Sequence, residues 1–282
     1  MKTIENISRM STFVKMMKKE GKSIGLVPTM GYLHEGHLSL VKAAKKHTDV
    51  VVMSIFINPL QFAPHEDLEK YPRDLKHDEE MARTAGVDVV FYPSLKDMYP
   101  EGYATYVTVE KLTDNLCGES RTGHFRGVTT VVIKLFNIVK PDVAYFGQKD
   151  MQQALTVKKM ASDLNMGIEV KMMPVVREKD GLAMSSRNMY LNDAERKDAA
   201  VLHQSLKNAE TLIKNGERDA GKVMKAVEEM IRSKQSARIE YVKLVDAREL
   251  KDVKMITGEI ALSVAVFFGK TRLIDNTTIT VR

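Results

Sequence analysis

The segment DVVVMSIFIN, residues 49–58, is almost continuously apolar and rich in β-branched side chains. A strand with one wet face alternates polar and apolar residues, so a strand without alternation must be covered on both faces, as inside a parallel sheet. Its neighbours in sequence fit that environment. Ile24 to Val27, VDVVFYP (87–93), DVAYFG (142–147) and IEVKMMPVV (168–176) read as further strands, with Pro28 and Gly31 expected to break the first of them. Between them stand helical patterns. Met10, Phe13, Met16 and Met17 recur at helical spacing in 8–20, and Gly21 ends that run; others cover about Gly36 to His47, 74–86 closing on Gly86, 127–140 and 151–165. Strand–helix alternation of this kind predicts an α/β, Rossmann-like parallel sheet domain over residues 1–176.

Beyond it the order changes. Asn192 followed by Glu195 reads as a capping box, opening a long helix to about Lys214, and a second helix is expected around 219–234. Three strand-like runs then follow at 239–247, 259–269 and 271–281. Helices followed by consecutive strands predict a smaller C-terminal α+β domain, residues 177–282.

Four strand-to-loop junctions carry residues suited to chemistry. In PTMGYLHEGHLSLV (28–41) a strand ends, a glycine-containing loop carries two histidines, and the second opens a helix. Unpaired N–H groups and the positive dipole end make such a helix start receptive to phosphate. Imidazoles at His34 and His37 would add donors where charge develops on phosphorus, and Gly36 would let a nucleotide near the backbone. The plainer reading is that the two histidines only cap the helix. Zinc is a weaker idea, since the chain has one cysteine and no third clustered ligand. In DGLAMSSRN (180–188), Gly181 and the serines are expected to make a flexible polar loop, with Arg187 a guanidinium fork for phosphate. In YFGQKDMQQ (145–153), Gly147 admits close approach, Lys149 offers a point charge, and Asp150 either serves the site or only caps the next helix. In FINPLQF (56–62), Asn58 and Gln61 offer hydrogen bonds to an acid, although Asn-Pro also makes ordinary turns. A parallel sheet brings strand ends to one rim, and the convergence of all four junctions argues for a nucleotide and acid site.

Composition narrows the partners. Over 282 residues the net charge is +6, which suits anionic ligands such as nucleotides and permits nucleic acid without arguing for it. The lysines fall in helical surface patterns such as KNAETLIKNGE, with no aromatic-interleaved basic ribbon of the single-strand-binding kind. No apolar run approaches roughly 18 residues, so no membrane span is expected. MKTIENISRMSTFVKMMKKEGKS lacks the apolar core of a secretory signal, and Cys117 has no second cysteine to pair with. A reducing, cytoplasmic setting is expected.

With these residues in view, the sequence resembles the pantoate–β-alanine ligase family over essentially its whole length. PTMGYLHEGH looks like that family's version of the HIGH signature of nucleotidylyl transferases and class I aminoacyl-tRNA synthetases, and MSSRN stands where those enzymes carry a KMSKS-type loop. FINPLQF, GHFRGV with Arg121 before it, YFGQKDMQQ and VVREKDGLAMSSRN together are far more specific than either signature. The resemblance implies a two-step reaction. The carboxylate of (R)-pantoate attacks the α-phosphate of ATP, bound with Mg2+, to give pantoyl adenylate and pyrophosphate; β-alanine then displaces AMP to give pantothenate. No tightly bound organic cofactor and no covalent nucleophile is implied.

Carried over by motif position, Met30, Gly31, Tyr32, Leu33, His34, Glu35, Gly36 and His37 would contact ATP, with His37 catalytic and His34 beside it. Gly147, Gln148, Lys149, Asp150 and Val176 would line the nucleotide pocket, Lys149 also steadying phosphate. Met184, Ser185, Ser186 and Arg187 would close over the triphosphate. Gln61 and Gln153 would hold pantoate, with Gln61 also near β-alanine. The magnesium ligands are not fixed by the resemblance. Arg121 and Arg126 stay open among phosphate binding, pairing in a dimer and plain surface. A homodimer and a C-terminal lid are implied as well. Two rivals stand beside this reading: an RNA-directed enzyme or binding module, and a nucleotidylyl transferase that stops at a stable nucleotide product. The short C-terminal part is a poor anticodon reader, and the Gln61 and Gln153 motifs match an acid pocket rather than the transferase.

Overall fold

A computed structural model of the chain describes residues 1–64 and 66–281. In chain order the strands are β1 (Lys2–Ile4), β2 (Ile24–Thr29), β3 (Val50–Ile55), β4 (Val89–Phe91), β5 (Val143–Gly147), β6 (Glu169–Met173), β7 (Ala237–Asp246), β8 (Gly258–Phe268) and β9 (Thr271–Val281). The helices are α1 (Ile7–Lys19), α2 (Glu35–Lys45), α3 (Leu75–Ala85), α4 (Leu95–Met98), α5 (Cys117–Ser120), α6 (His124–Val139), α7 (Met151–Asp163), α8 (Asp193–Ala199), α9 (Val201–Lys214) and α10 (Ala220–Arg232). The chain divides into two bodies. One comprises Met1–Glu110, Arg121–Gln148 and Gln153–Pro174; the other comprises Lys111–Ser120, Lys149–Gln152 and the residues from Val175 onward.

The first body is a six-stranded parallel sheet in the order β1-β4-β3-β2-β5-β6. Every residue of β3 is buried, as its unbroken apolar sequence requires. Alternate residues of the central strands feed two cores. Ile24, Leu26, Val50, Val52, Phe91, Ala144 and Phe146 pack with α1, α6 and α7. Val27, Val51, Met53, Ile55, Val90 and Tyr145 pack with α2 and α3. This is the expected parallel sheet with helices on both faces.

Two local expectations need correction here. Strand β1 was not legible: three residues, two of them exposed, carry no periodicity, and pairing with β4 makes the strand. Pro28 does not end its strand either. Strand β2 runs on to Thr29 beside β3, while its pairing with β5 spans only Gly25 and Leu26, so at Pro28 a missing N–H breaks no bond toward β5.

The second body is α+β, an antiparallel sheet in the order β7-β8-β9 with α8, α9 and α10. Asn192 and Glu195 form the reciprocal capping box at the start of α8. The single long helix expected from there to Lys214 is two helices, interrupted at Ala200, whose backbone stays in the right-handed region. No glycine or proline marks the break, which is why periodicity missed it. The apolar core of this body includes Leu202, Val223, Val227, Leu244, Leu262 and Val264, all fully or almost fully buried. Among the described residues no helix is long and apolar enough to cross a membrane.

Candidate active site

In the first body the strand order reverses between β2 and β5, the kind of switch point where open parallel sheets bind ligands beyond the carboxyl ends of their strands. The loop that leaves β2 is held at every residue. Thr29 Oγ1 donates to the Ser54 carbonyl at 2.8 Å and accepts the Gly31 N–H at 3.2 Å. Gly31 and Tyr32 both lie in the left-handed region, at φ 87° and 51°. The first is free for glycine; the second is costly for a tyrosine and needs external support. That support is Asp78 of α3, only 2% exposed, whose carboxylate accepts the N–H groups of Tyr32 at 2.9 Å and Leu33 at 2.7 Å. Burial lifts the Asp78 carboxyl above its ordinary range, against the opposing pull of those two N–H groups and of His77; nearby Asp74 adds to the rise.

His34 is the N-cap of α2. Its Nδ1 accepts the Gly36 N–H at 3.1 Å, and His37 Nδ1 accepts the His34 N–H at 3.4 Å, a reciprocal box built from two imidazoles. The rings lie 4.0 Å apart at 32°. Accepting at Nδ1 puts the proton of each neutral ring on Nε2, so both present a donor edge beside the helix N-terminus. Capping and chemistry, set as alternatives from sequence, are therefore compatible: one nitrogen of each ring caps and the other is a donor.

Gln61 closes a 3-10 turn, Pro59–Gln61, capped by Asn58. Its Nε2 donates to Met30 Sδ at 2.9 Å, joining the FINPLQF motif to the histidine loop. Asn58 Nδ2 donates to Gln61 Oε1 at 3.2 Å and to the Gly127 carbonyl at 3.0 Å, while Tyr99 OH donates to Asn58 Oδ1 at 2.9 Å. The third motif, GHFRGV, enters from α6. His124 Nδ1 lies 2.7 Å from the Gln61 carbonyl, and Arg121 Nη2 donates to the same oxygen at 3.3 Å. Arg121 also forms a two-pronged pair with Glu66, its Nε and Nη2 each 2.6 Å from a carboxylate oxygen. Burial alone would raise the Glu66 carboxyl, but Arg121 outweighs it and holds the carboxyl below its usual range. Of the two arginines left open by sequence, Arg121 is thus fixed in this cluster, and Arg126 is exposed with its guanidinium 3.7 Å above the Tyr106 ring. Gly147 ends β5, Gln148 follows it, and Gln153 stands half-buried on the first turn of α7.

The second body holds the remaining candidates. Residues 176–184, which overlap the start of the polar loop expected at 180–188, form a hairpin: Arg177 bridges Ala183, Met184 N–H donates to the Val176 carbonyl at 3.0 Å, and Glu178 N–H to the Leu182 carbonyl at 2.8 Å. Gly181 turns the tip at φ 94°, where a Cβ would lie 2.2 Å from the His203 ring. Ser185 caps the 3-10 turn Ser186–Tyr190 that contains Arg187. Asn188 Nδ2 ties that turn to Glu178 and the Ala183 carbonyl, and Arg196 binds both Glu178 and Asp180. This charged lattice was not read from the sequence. Two β9 residues hold these candidate segments. Asp275, 1% exposed, pairs with Arg177 through both oxygens, at 2.6 and 3.0 Å, and Asn276 Nδ2 donates to the Lys149 carbonyl at 3.0 Å. Lys149 Nζ lies 3.8 Å from the half-exposed Asp150 carboxylate.

Sequence reasoning missed Asp78, His124, Asp275 and Asn276. For Asp78 a signal existed: it shares the inward stripe of α3 with Leu75 and Ala82, where a charged residue is out of place. The β9 pair carried none, lying far from any motif.

The family model for pantoate-beta-alanine ligase matches residues 2–278. Pantothenate synthetase of Acetivibrio thermocellus is 57% identical over 281 residues, a coverage of 100% for each chain. Among solved structures, pantothenate synthetase from Thermus thermophilus superimposes with a TM-score of 0.94 at 43% identity, covering 98% of this chain and 99% of the other. Pantoate-beta-alanine ligase from Francisella tularensis, complexed with beta-gamma ATP and beta-alanine, gives 0.80 at 33% identity, covering 98% and 97%.

Proposed function

The chain belongs to the pantoate–β-alanine ligase family, and we propose that it ligates in two steps, an adenylation followed by an aminolysis. The protein is an ATP-dependent ligase that joins pantoate to β-alanine. The observation that carries the two-step reading is the hydrogen-bonded union, in the first body, of an anion-receptive helix start with a glutamine suited to an acid: Met30 touches Gln61, and four residues on, His34 caps α2.

In this reading Met30 to His37 receive the nucleotide, and the N–H groups at the start of α2 and the Nε2 edges of His34 and His37 face phosphate oxygens. Charge grows on those oxygens as the (R)-pantoate carboxylate attacks the α-phosphorus. His37 donates to the developing charge; His34 supports it. Gln61 and Gln153 hold the hydroxyls and carboxylate of pantoate, and Gln61 also guides the β-alanine amine. Fixing Gln61 through both its side chain and its carbonyl supports this role, because an oriented nucleophile contributes more than any single contact. Gly147 to Asp150 and Val176 line the nucleotide pocket; Lys149 and Arg187 balance the triphosphate charge, with Met184 to Ser186 alongside. Mg2+ enters as part of the nucleotide substrate.

Assigning residues 1–176 to nucleotide and pantoate binding, and 177–282 to a lid, belongs to the same proposal; a separate apolar core in each body supports it. A cytoplasmic setting, a homodimer, and small molecules rather than RNA as partners are further parts of the proposal. The test is an omission assay. With ATP, Mg2+, (R)-pantoate and β-alanine present, AMP and pantothenate form in equal amounts. Substantial AMP production without pantoate would refute the assignment.

A further inference from the structure

The Asp78 carboxylate stands outside the motifs, yet through the N–H groups of Tyr32 and Leu33 it is the support on which the histidine loop turns. Three observations converge on it. It is buried, on a helix whose exposed face is otherwise charged. Both its oxygens accept N–H groups of consecutive residues, Tyr32 and Leu33, immediately before the His34 cap. The turn is also shaped around it: a Cβ on Gly31 would lie 2.8 Å from Asp78 Oδ2 and 3.1 Å from Ile55 Cγ2, so glycine is required there for space as well as for its positive φ. Tyr32, at φ 51°, is a bulky side chain in a conformation that L-residues other than glycine rarely adopt, and a charged acceptor for its N–H offsets that cost.

We propose that Asp78 is a positioning residue for adenylate formation, holding the Gly31–Tyr32 turn so that the start of α2 and the imidazole of His37 meet the α-phosphate. The inference rests on the ligase reading of the histidine loop and extends it to a residue in a different element. Asparagine is nearly isosteric with aspartate but presents an N–H where the second acceptor stood, opposing one of the two backbone donors. The loop then loses its hold on one residue while α3 keeps its packing. Because Asp78 acts through His37, its removal matters only while His37 is present to be aimed.

The experiment is a double-mutant cycle read by pantoate-dependent exchange of labelled pyrophosphate into ATP, with ATP binding and melting temperature measured alongside. Asp78→Asn is expected to lower the exchange rate about 10- to 100-fold in the otherwise unchanged chain, and less than about 3-fold in a His37→Ala background. ATP affinity should change less than the exchange rate. Equal factors in both backgrounds would overturn the proposal, because a merely structural carboxylate loses the same amount whatever stands at position 37. Should Asp78→Asn not fold, Gly31→Ala presses on the same carboxylate from the other side and should give the same pattern; folded Gly31→Ala with full exchange would equally overturn the proposal. Absence of exchange in the unmutated chain would count against the ligase reading itself, whereas normal exchange there with an unaffected Asp78→Asn would count against the positioning role alone.

Discussion

Gly127→Ala should damage pantoate use from a position with no side chain of its own. In the structure α6 passes so close to the Pro59–Gln61 turn that an added Cβ would lie 2.2 Å from the Leu60 carbonyl oxygen, 2.4 Å from its carbon and 2.6 Å from the Gln61 nitrogen. All three are backbone atoms, so no rotamer change relieves the contact. Non-bonded heavy atoms settle near about 3.5 Å, so helix and turn must part by roughly 1 Å. Parting stretches the 3.0 Å bond from Asn58 Nδ2 to the Gly127 carbonyl and carries Gln61 away from its place beside Met30. A misplacement of that size costs on the order of 10²-fold in rate, and overpacking costs about 1–3 kcal/mol of stability. For a chain of this length the second figure corresponds to a melting point lower by roughly 2–12 °C. The assay is steady-state kcat/KM for pantoate at saturating ATP and β-alanine, with a thermal melt on the same sample. A variant within about 3-fold of the parent in kcat/KM, with an unchanged melt, would refute the idea that this contact sets the Gln61 position.

Other consequences follow from the same geometry. Replacing the His37 imidazole, as in His37→Ala, should depress adenylate formation by about 10²- to 10⁴-fold and ATP binding far less; equal losses in both would reduce His37 to a cap. Asp275→Ala strands the Arg177 guanidinium without its buried partner and should cost about 3–5 kcal/mol in urea unfolding, a loss of under 1 kcal/mol being incompatible with that pairing. The Glu66 carboxyl is held below its unfolded value by Arg121, so its contribution to stability is fully present above about pH 4.5 and disappears as pH falls through the depressed folded value. Urea midpoints for the parent and Glu66→Gln should therefore converge on acidification from pH 6 toward 3, and a gap that stayed constant would contradict the pairing.

How much could be read in advance depended on how local the cause was. Strand β3, the glycine stop of α3 at Gly86 and the Asn192–Glu195 box are each produced by residues inside the segment itself, and each was legible. Strand β1 exists only because β4 offers an edge to pair with, and the pause at Ala200 comes with no breaker residue. The site followed the same division. The motif side chains proposed for the site were singled out by type and spacing. The groups that hold them did not, because Asp78 meets Tyr32 from 46 residues away and Asp275 meets Arg177 from 98. Periodicity could have flagged Asp78 as a charge on an inward stripe; no sequence signal could have tied β9 to the 176–184 hairpin. The ties of the 180–188 loop to Arg196 were illegible for a related reason, since Arg196 meets Asp180 from 16 residues away.

The central claim is that the acid is activated on the nucleotide before the amine arrives. Exchange of labelled pyrophosphate into ATP, run with Mg2+ and (R)-pantoate but without β-alanine, measures that step alone. The account predicts exchange that requires pantoate, with β-alanine then diverting the intermediate to pantothenate and AMP. An enzyme that makes pantothenate and AMP from the full mixture, yet shows no exchange until β-alanine is added, would contradict it.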